Sequence, residues 1–229
     1  MQLKILSWNI WIDGHFDQIT DFLKSSNADI IGLQEVLKND NKRDVISFLA
    51  DLDYNHAFAP IKKVWGNETW NDGPALFSKY EISNVQKYEL SRTDARAAVS
   101  ADIKVEDRVL HIFTTHLIHT HQQQTNIQEE QMNNLIKLLP GEQTIVMGDF
   151  NAIPDSSVIK NMRNVLVDSD PTSAPTWSVY PEGCVTCKPK GIEIRLDYIF
   201  TSKDIRILSS QVESSKASDH LPISAVIEV

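Results

Sequence analysis

The stretch Thr144–Ser156, TIVMGDFNAIPDS, sets Asp149 and Asn151 two residues apart directly after an apolar run. A buried strand has no packing reason to end in a carboxylate and a carboxamide. The pattern recurs along the chain. Asn9 in LSWNI, Glu35 in IIGLQEV, His116 in FTTHL, Asp197 in RLDYIF and Asp219–His220 in SDHLPI all lie within or at the end of core-forming segments. A carboxylate removed from water and left unpaired is costly, so each requires a partner or a metal. Taken singly, Glu35 could be half of a structural ion pair, His116 a satisfied core histidine, and Asn9 a strand-end hydrogen-bonder. Together they exceed what a fold needs to hold itself together.

Sorted by chemistry, Glu35, Asp149 and Asp219 are hard oxygen ligands, and Asn9 and Asn151 could add amide oxygens. Such a thiolate-free set suits Mg²⁺, or Mn²⁺, rather than zinc. His116 and His220 are imidazoles that titrate near neutrality. Asp197 can accept from one ring nitrogen of His220 and so fix its tautomer. A Lewis acid, a base with its orienter, and donors for developing negative charge are what water needs to attack a phosphoester. Ser218 precedes Asp219–His220, but no G-x-S-x-G elbow accompanies it. P-loop and dinucleotide glycine patterns are also missing from the sequence.

These groups need elements to position them. LKILSWNIWI reads as a strand, and FDQITDFLKSS as a helix with Phe16, Ile19, Phe22 and Leu23 on one face. ADIIGLQEV is a buried strand and RDVISFLADL a second amphipathic helix. YNHAFAP, GPALFSK, ISNVQKYEL, ARAAVSADIKV and RVLHIFTTHL then follow as consecutive strands. The helix NIQEEQMNNLIKLL ends at Pro140–Gly141, and SSVIKNMRN forms a short helix after the TIVMGDFN strand. RLDYIFTS, IRILSSQVE and LPISAVIEV complete the chain as strands. Lys62–Gly73, polar and with two tryptophans, reads as a connecting loop, either solvated or carrying specificity. Two βα units, antiparallel strands and a further βα unit fit two packed sheets with helices outside. Without an internal repeat or low-complexity linker, residues 1–229 are expected to form a single domain.

Composition narrows the partners. The chain has 229 residues, 41% of them hydrophobic, and a formal charge of -9. That balance repels phosphodiester backbones at long range and argues against a non-specific nucleic-acid binder. It leaves a nuclease open, because bound divalent cations invert the local field. No apolar run approaches the roughly 18–20 residues that span a bilayer. The N-terminus alternates like a strand and lacks the pattern of a signal peptide, so a cytoplasmic location is expected. Cys184 and Cys187 form a C-x-x-C pair, but nothing completes tetrahedral ligation around them. They are expected to be incidental loop thiols.

Taken in order, SWNIW, IIGLQEV, TTHL, GDFNAIPDS, RLDYIF and SDHLPI resemble the endonuclease/exonuclease/phosphatase superfamily, with its DNase I-like fold, over essentially the whole chain. The resemblance implies an α/β four-layer sandwich, two packed mixed β-sheets flanked by helices, with the site at one end of the sheets. It implies Glu35 as the principal Mg²⁺ ligand, helped by Asn9 and Asp219. Asp149 and Asn151 would sit against the scissile phosphate and the attacking water. His220, paired with Asp197, would be the general base or a phosphate ligand, and whether the base is His220 or Asp149 stays open. Arg96 matches a family position near the phosphate.

The histidine of TTHL and Trp11, where exonuclease III-like enzymes carry an acidic residue, move the chain away from abasic-site repair. They move it towards the DNase I, neutral sphingomyelinase, inositol polyphosphate phosphatase and deadenylase pattern. In that pattern His116 would donate to the phosphate or protonate the leaving oxygen. The implied function is a Mg²⁺-dependent phosphoesterase, with a phosphodiesterase expected and an endo- or exonuclease as the alternative. A catalytically inactive binding module of the same fold is disfavoured, because none of these residues is replaced. The substrate would be a small-molecule, lipid head-group or nucleic-acid phosphoester, with no stable membrane insertion and no obligate protein partner. The acidic balance favours the smaller substrates.

Overall fold

The computed structural model describes residues 1–65, 67–94, 96–120, 125–184 and 187–229. Strands β1 (Gln2–Asn9) and β2 (Ile30–Leu37) are buried on both faces, so their apolar runs are nearly continuous. They pair in parallel, joined by helix α1 (Phe16–Ser26), which buries Ile19 and Leu23 one turn apart. Helix α2 (Val45–Ala50) starts at Asp44, whose side chain accepts the Ser47 N–H. Strands β3 (Asn55–Phe58), β4 (Ile61–Trp65) and β5 (Glu68–Ser78) extend the same sheet.

The second sheet begins with β6 (Ile82–Glu89), β7 (Ala97–Val105) and β8 (Arg108–His116). Helix α3 (Ile127–Lys137) then crosses to β9 (Thr144–Asp149), parallel to β8, and helix α4 (Ser157–Val165) follows. The two-residue β10 (Val167–Asp168) and β11 (Asp197–Thr201) complete the sheet in the order β10-β11-β9-β8-β7-β6. Strands β12 (Arg206–Val212) and β13 (Ile223–Glu228) return to the first sheet, ordered β12-β13-β1-β2-β5-β3 with β4 also on β5.

Three apolar layers hold four structural layers together. Leu6, Trp8, Ile31, Leu33 and Phe77 pack against α1 and α2 on one outer face. Leu3, Ile5, Ile30, Val99, Ile112, Ile145, Met147 and Ile199 fill the space between the sheets. Phe113, Val146, Tyr198 and Phe200 pack against Met132, Leu135, Ile159 and Met162 of α3 and α4 on the other outer face. This is the expected four-layer α/β sandwich of two mixed sheets. Among the described residues, no helix is long and apolar enough to cross a membrane.

Two expectations change. Most of Lys62–Gly73 is a hairpin and not a connecting loop, with β4 and the first half of β5 paired from Ile61↔Asp72 to Trp65↔Glu68. Its polar residues gave no apolar period because much of this hairpin faces solvent or a cavity and not the core. Cys184 and Cys187 are not free thiols but are joined in a disulfide, their Cα atoms 5.4 Å apart.

Candidate active site

The layer between the sheets turns polar at one end. Strand alternation puts Ile145 and Met147 of β9 into that layer, and Asp149 is the next residue on the same face. By the same period Leu110 and Ile112 lead to His116, Leu3 and Ile5 lead to Asn9, and Ile199 follows Asp197. Register brings these ends together, because Asp149 is paired with His116 on one side and with Asp197 on the other. Gly148 permits the approach of β9 to β8: its φ is +148°, and a Cβ there would lie 2.1 Å from the Thr115 carbonyl oxygen.

Glu35 arrives differently. Period-two alternation would place it with Ile31 and Leu33, towards the helices. The β2–β5 register shifts between Leu33 and Val36, and Val36 takes the place in the helix-facing core instead. Glu35, at φ +60°, is thereby re-aimed into a cavity of about 820 Å³. Its Oε2 accepts the Ile12 backbone N–H at 3.0 Å and its Oε1 accepts Asn9 Nδ2 at 3.2 Å. Asp219 and His220 come from the segment before β13. There Ser218 Oγ donates to the Asn9 carbonyl at 2.7 Å and Trp8 Nε1 donates to the His220 carbonyl at 2.9 Å.

The buried centre is densely bonded. Asp149 Oδ2 accepts Asn9 Nδ2 at 3.0 Å and lies 3.4 Å from His116 Nε2 and 3.7 Å from His220 Nε2. Its Oδ1 accepts the Asn151 N–H at 2.8 Å, in a turn where Asn151 adopts φ +48°. His220 Nδ1 is 2.8 Å from Asp197 Oδ2, which also accepts the Thr176 hydroxyl at 2.6 Å. Arg96 Nη1 is 3.4 Å from His116 Nε2. Asp219 Oδ2 accepts the Trp177 indole N–H at 3.1 Å.

Electrostatics separates the groups. Burial raises the Asp149 carboxyl to about 7, with the Asp197 charge adding to the rise and His220 opposing it. Burial alone would lower His220, but Asp197, Asp149 and Asp219 outweigh it and hold the ring well above its usual range. His116 moves the opposite way. Burial, then the Arg96 and Lys63 charges, push it well below the usual range, so it is a neutral imidazole.

All the predicted residues converge on this cavity or its wall. Asn9, Glu35, Arg96, His116, Asp149, Asn151, Asp219 and His220 line it, and Asp197 stands behind His220. Asn9 joins Glu35 to Asp149. Its oxygen accepts the Trp11 N–H at 3.0 Å, and its NH₂ bridges Glu35 and Asp149, so it orients two carboxylates.

Sequence reasoning missed Lys63 and Asp72 of the hairpin, which also line the cavity, and two glutamines of α3. Gln128 Nε2 donates to the Ile118 and Asn151 carbonyls, and Gln131 Oε1 accepts the Ile118 N–H. The two together clamp the loops after β8 and β9. Their signal was two glutamines one turn apart on the helix face that also carries Met132 and Leu135.

Residues 6–220 match the Endonuclease/Exonuclease/phosphatase family. The chain belongs to that family. No curated protein sequence matches it, but many solved structures share its fold. An endonuclease/exonuclease/phosphatase from Beutenbergia cavernae is 16% identical with a TM-score of 0.81, covering 100% of this chain and 72% of that one. The human Nocturnin catalytic domain with bound sulfate is 22% identical with a TM-score of 0.70, over 99% and 94%. ANGEL2, a 2′,3′-cyclic phosphatase in complex with adenosine-2′,3′-vanadate, is 16% identical with a TM-score of 0.73, over 99% and 95%.

Membership in the endonuclease/exonuclease/phosphatase family makes this protein a hydrolase of phosphoester bonds. Its donor set fits a hard divalent cation, since Glu35 and Asp219 offer carboxylate oxygens at the cavity. Cys184 also lines the cavity, but its sulfur is bonded to Cys187 and offers no thiolate. Asp149, Asp197 and His220 form a buried group, with ligand atoms within 4.8 Å of one another, that could hold a metal.

Proposed function

We propose that the protein is a Mg²⁺-dependent phosphodiesterase that hydrolyses a small phosphoester by attack of water. The observation that carries this reading is Asp149, a buried carboxyl lining the cavity between two imidazoles, 3.4 Å from His116 Nε2 and 3.7 Å from His220 Nε2. Glu35 and Asp219, half-buried and facing the cavity, would hold the cation, which supplies Lewis-acid charge at the phosphate. The buried trio is the poorer cation site, because ligation through His220 Nδ1 would break its hydrogen bond to Asp197.

Asp149 takes the proton of the attacking water, since its raised pKa suits a general base near neutrality. A cation nearby lowers that pKa towards the ionised form the base needs. His220, kept protonated by its carboxylate neighbours, acts as a positive donor to the phosphate and not as the base. Asp197 keeps the ring aligned through Nδ1. Arg96 adds donors to the phosphate oxygens, while Asn151, whose Nδ2 donates to the Leu117 carbonyl at 3.0 Å and to Asp149 Oδ2 at 3.3 Å, holds the base in place. His116, being neutral, contributes a hydrogen bond, and the leaving oxygen takes its proton from solvent water in the open cavity.

Hydrolysis of bis(p-nitrophenyl) phosphate by the purified protein tests the reading. Cleavage is expected with Mg²⁺, lost on chelation, and faster than that of p-nitrophenyl phosphate. A monoester preference would make the protein a phosphatase. Nicking of supercoiled plasmid faster than cleavage of any small diester would make it a nuclease. Adenosine 2′,3′-cyclic phosphate, of the class named for the similarly folded ANGEL2, is the second small diester to try.

A further inference from the structure

The cavity lining carries charges of both signs. Glu35, Asp72, Asp94, Asp149 and Asp219 line it, and so do Lys62 and Lys63 of β4 and Arg96, just before β7. In a chain of net charge -9, three cations lining a phosphoester cavity call for an explanation. Lys63 is not a loose surface lysine. Its Nζ lies 2.6 Å from Asp72 Oδ2, and the Asp72 side chain is 0% exposed.

Burying Asp72 is costly, and burial does raise its carboxyl above the ordinary range, opposed chiefly by Lys63. Its Oδ1 has no hydrogen-bond partner among the described residues, and its Oδ2 accepts Lys63 Nζ across the β4–β5 hairpin. What it does is fix one ammonium at the cavity wall. An ammonium carries three donors and Asp72 occupies one, leaving donors for an acceptor within the cavity. The Lys63 charge also bears on His116, so the ammonium is close enough to influence the reacting centre.

We propose that Lys63, set by Asp72 and flanked by Lys62 and Arg96, forms a subsite for a second phosphate carried by a small-molecule substrate beside its scissile phosphoester. The proposal rests on the phosphoesterase reading above and deepens it to a substrate class, small phosphoesters bearing a further phosphate. The acidic surface outside the cavity disfavours a long polyanion in the same role.

Calorimetric binding of thymidine 3′,5′-bisphosphate and of thymidine 5′-phosphate, with Ca²⁺ present, tests the subsite. The bisphosphate is expected to bind at least about tenfold tighter, the gain of one charge-assisted hydrogen bond. In Lys63→Gln that advantage should shrink to within about twofold, the residue left by unaltered neighbours. Because Lys63→Gln strands a buried carboxylate, the double variant Lys63→Gln/Asp72→Asn is measured beside it and should show the same loss. Lys63→Arg should restore the preference.

Equal binding of the two nucleotides by the parent protein overturns the proposal, as does a preference that survives in the double variant. Displacement of the bisphosphate by a short oligothymidylate at lower concentration than by free bisphosphate overturns the small-molecule assignment. Hydrolysis of thymidine 5′-(p-nitrophenyl phosphate) with Mg²⁺ by the same preparation reports separately on the phosphoesterase reading. That reading can therefore fail while the binding preference stands, or the reverse.

Discussion

Two sets of acids share one cavity, and the fold treats them differently. Asp149 and Asp197 end strands of the inter-sheet layer, 1% and 0% exposed, locked by side-chain and backbone donors and flanked by His220. Glu35 and Asp219 reach the cavity by a bulge and by a loop and stay half-buried, accepting neutral N–H groups from Ile12, Asn9 and Trp177. Asp149 of the buried set is suited to holding a proton, and the open set to gathering a cation. The same functional group takes its role from depth and neighbours.

The largest effect is expected on the buried side. Asp149→Ala and His220→Ala should each lower kcat at least about a hundredfold, the range for losing a base or an electrostatic donor. Circular dichroism should show the fold retained in both. Turnover within a few-fold of the parent in either variant would remove the proton-handling role from that residue and collapse the distinction between the two sets.

The next test asks which set holds the cation. Glu35→Gln keeps the shape and removes the charge. The Mg²⁺ concentration for half-maximal activity should rise at least about tenfold, while Asp197→Asn shifts it less than about threefold, below the usual range for a lost supporting group. Asp197→Asn should instead act on kcat, by releasing His220 from its orientation. The opposite outcome, with Asp197→Asn moving the metal requirement and Glu35→Gln leaving it alone, would put the cation in the buried Asp149–Asp197–His220 group.

The buried set was legible in the sequence because each member interrupts an apolar run, and period-two alternation then fixes the face it occupies. Asp149 after Ile145 and Met147 is the clearest case. Glu35 was legible as a residue but not as a geometry. Alternation alone sends it to the helices, and the bulge that corrects this leaves no pattern in IIGLQEV. The Lys63–Asp72 pair was hidden because its strands form a rim hairpin whose polar residues resemble a loop. Gln128 and Gln131 were hidden because a buried glutamine is spelled like a solvated one until the carbonyls it serves are in place. The orientation of the Asn9 amide was hidden too, because its NH₂ is turned to the carboxylates by the Trp11 N–H that its oxygen accepts and not by residue type.

The smallest effect is on stability and tests whether depth costs what the comparison requires. Asp149 carries its proton up to about pH 7 in the fold, against an ordinary carboxyl value of 3.8. Between those values the folded chain binds more protons than the unfolded one, so stability falls as pH rises and the full penalty is present above about 7. Asp149→Asn removes the charge but keeps an oxygen for the Asn9 and Asn151 donors. With metal chelated, its melting temperature should exceed the parent's at pH 8 and match it at pH 5, where Asp149 is already largely protonated. His220 loses a carboxylate that helped hold its proton, which offsets part of the gain. A net rise of at least about 2–4 °C at pH 8, equivalent to roughly 1 kcal/mol in a chain of this size, is the expected remainder. An Asn variant that melts no higher than its parent at pH 8 would mean that burial does not burden this carboxylate. Asp149 would then have no raised pKa to fit it as a base, and His220 would have to take the proton instead.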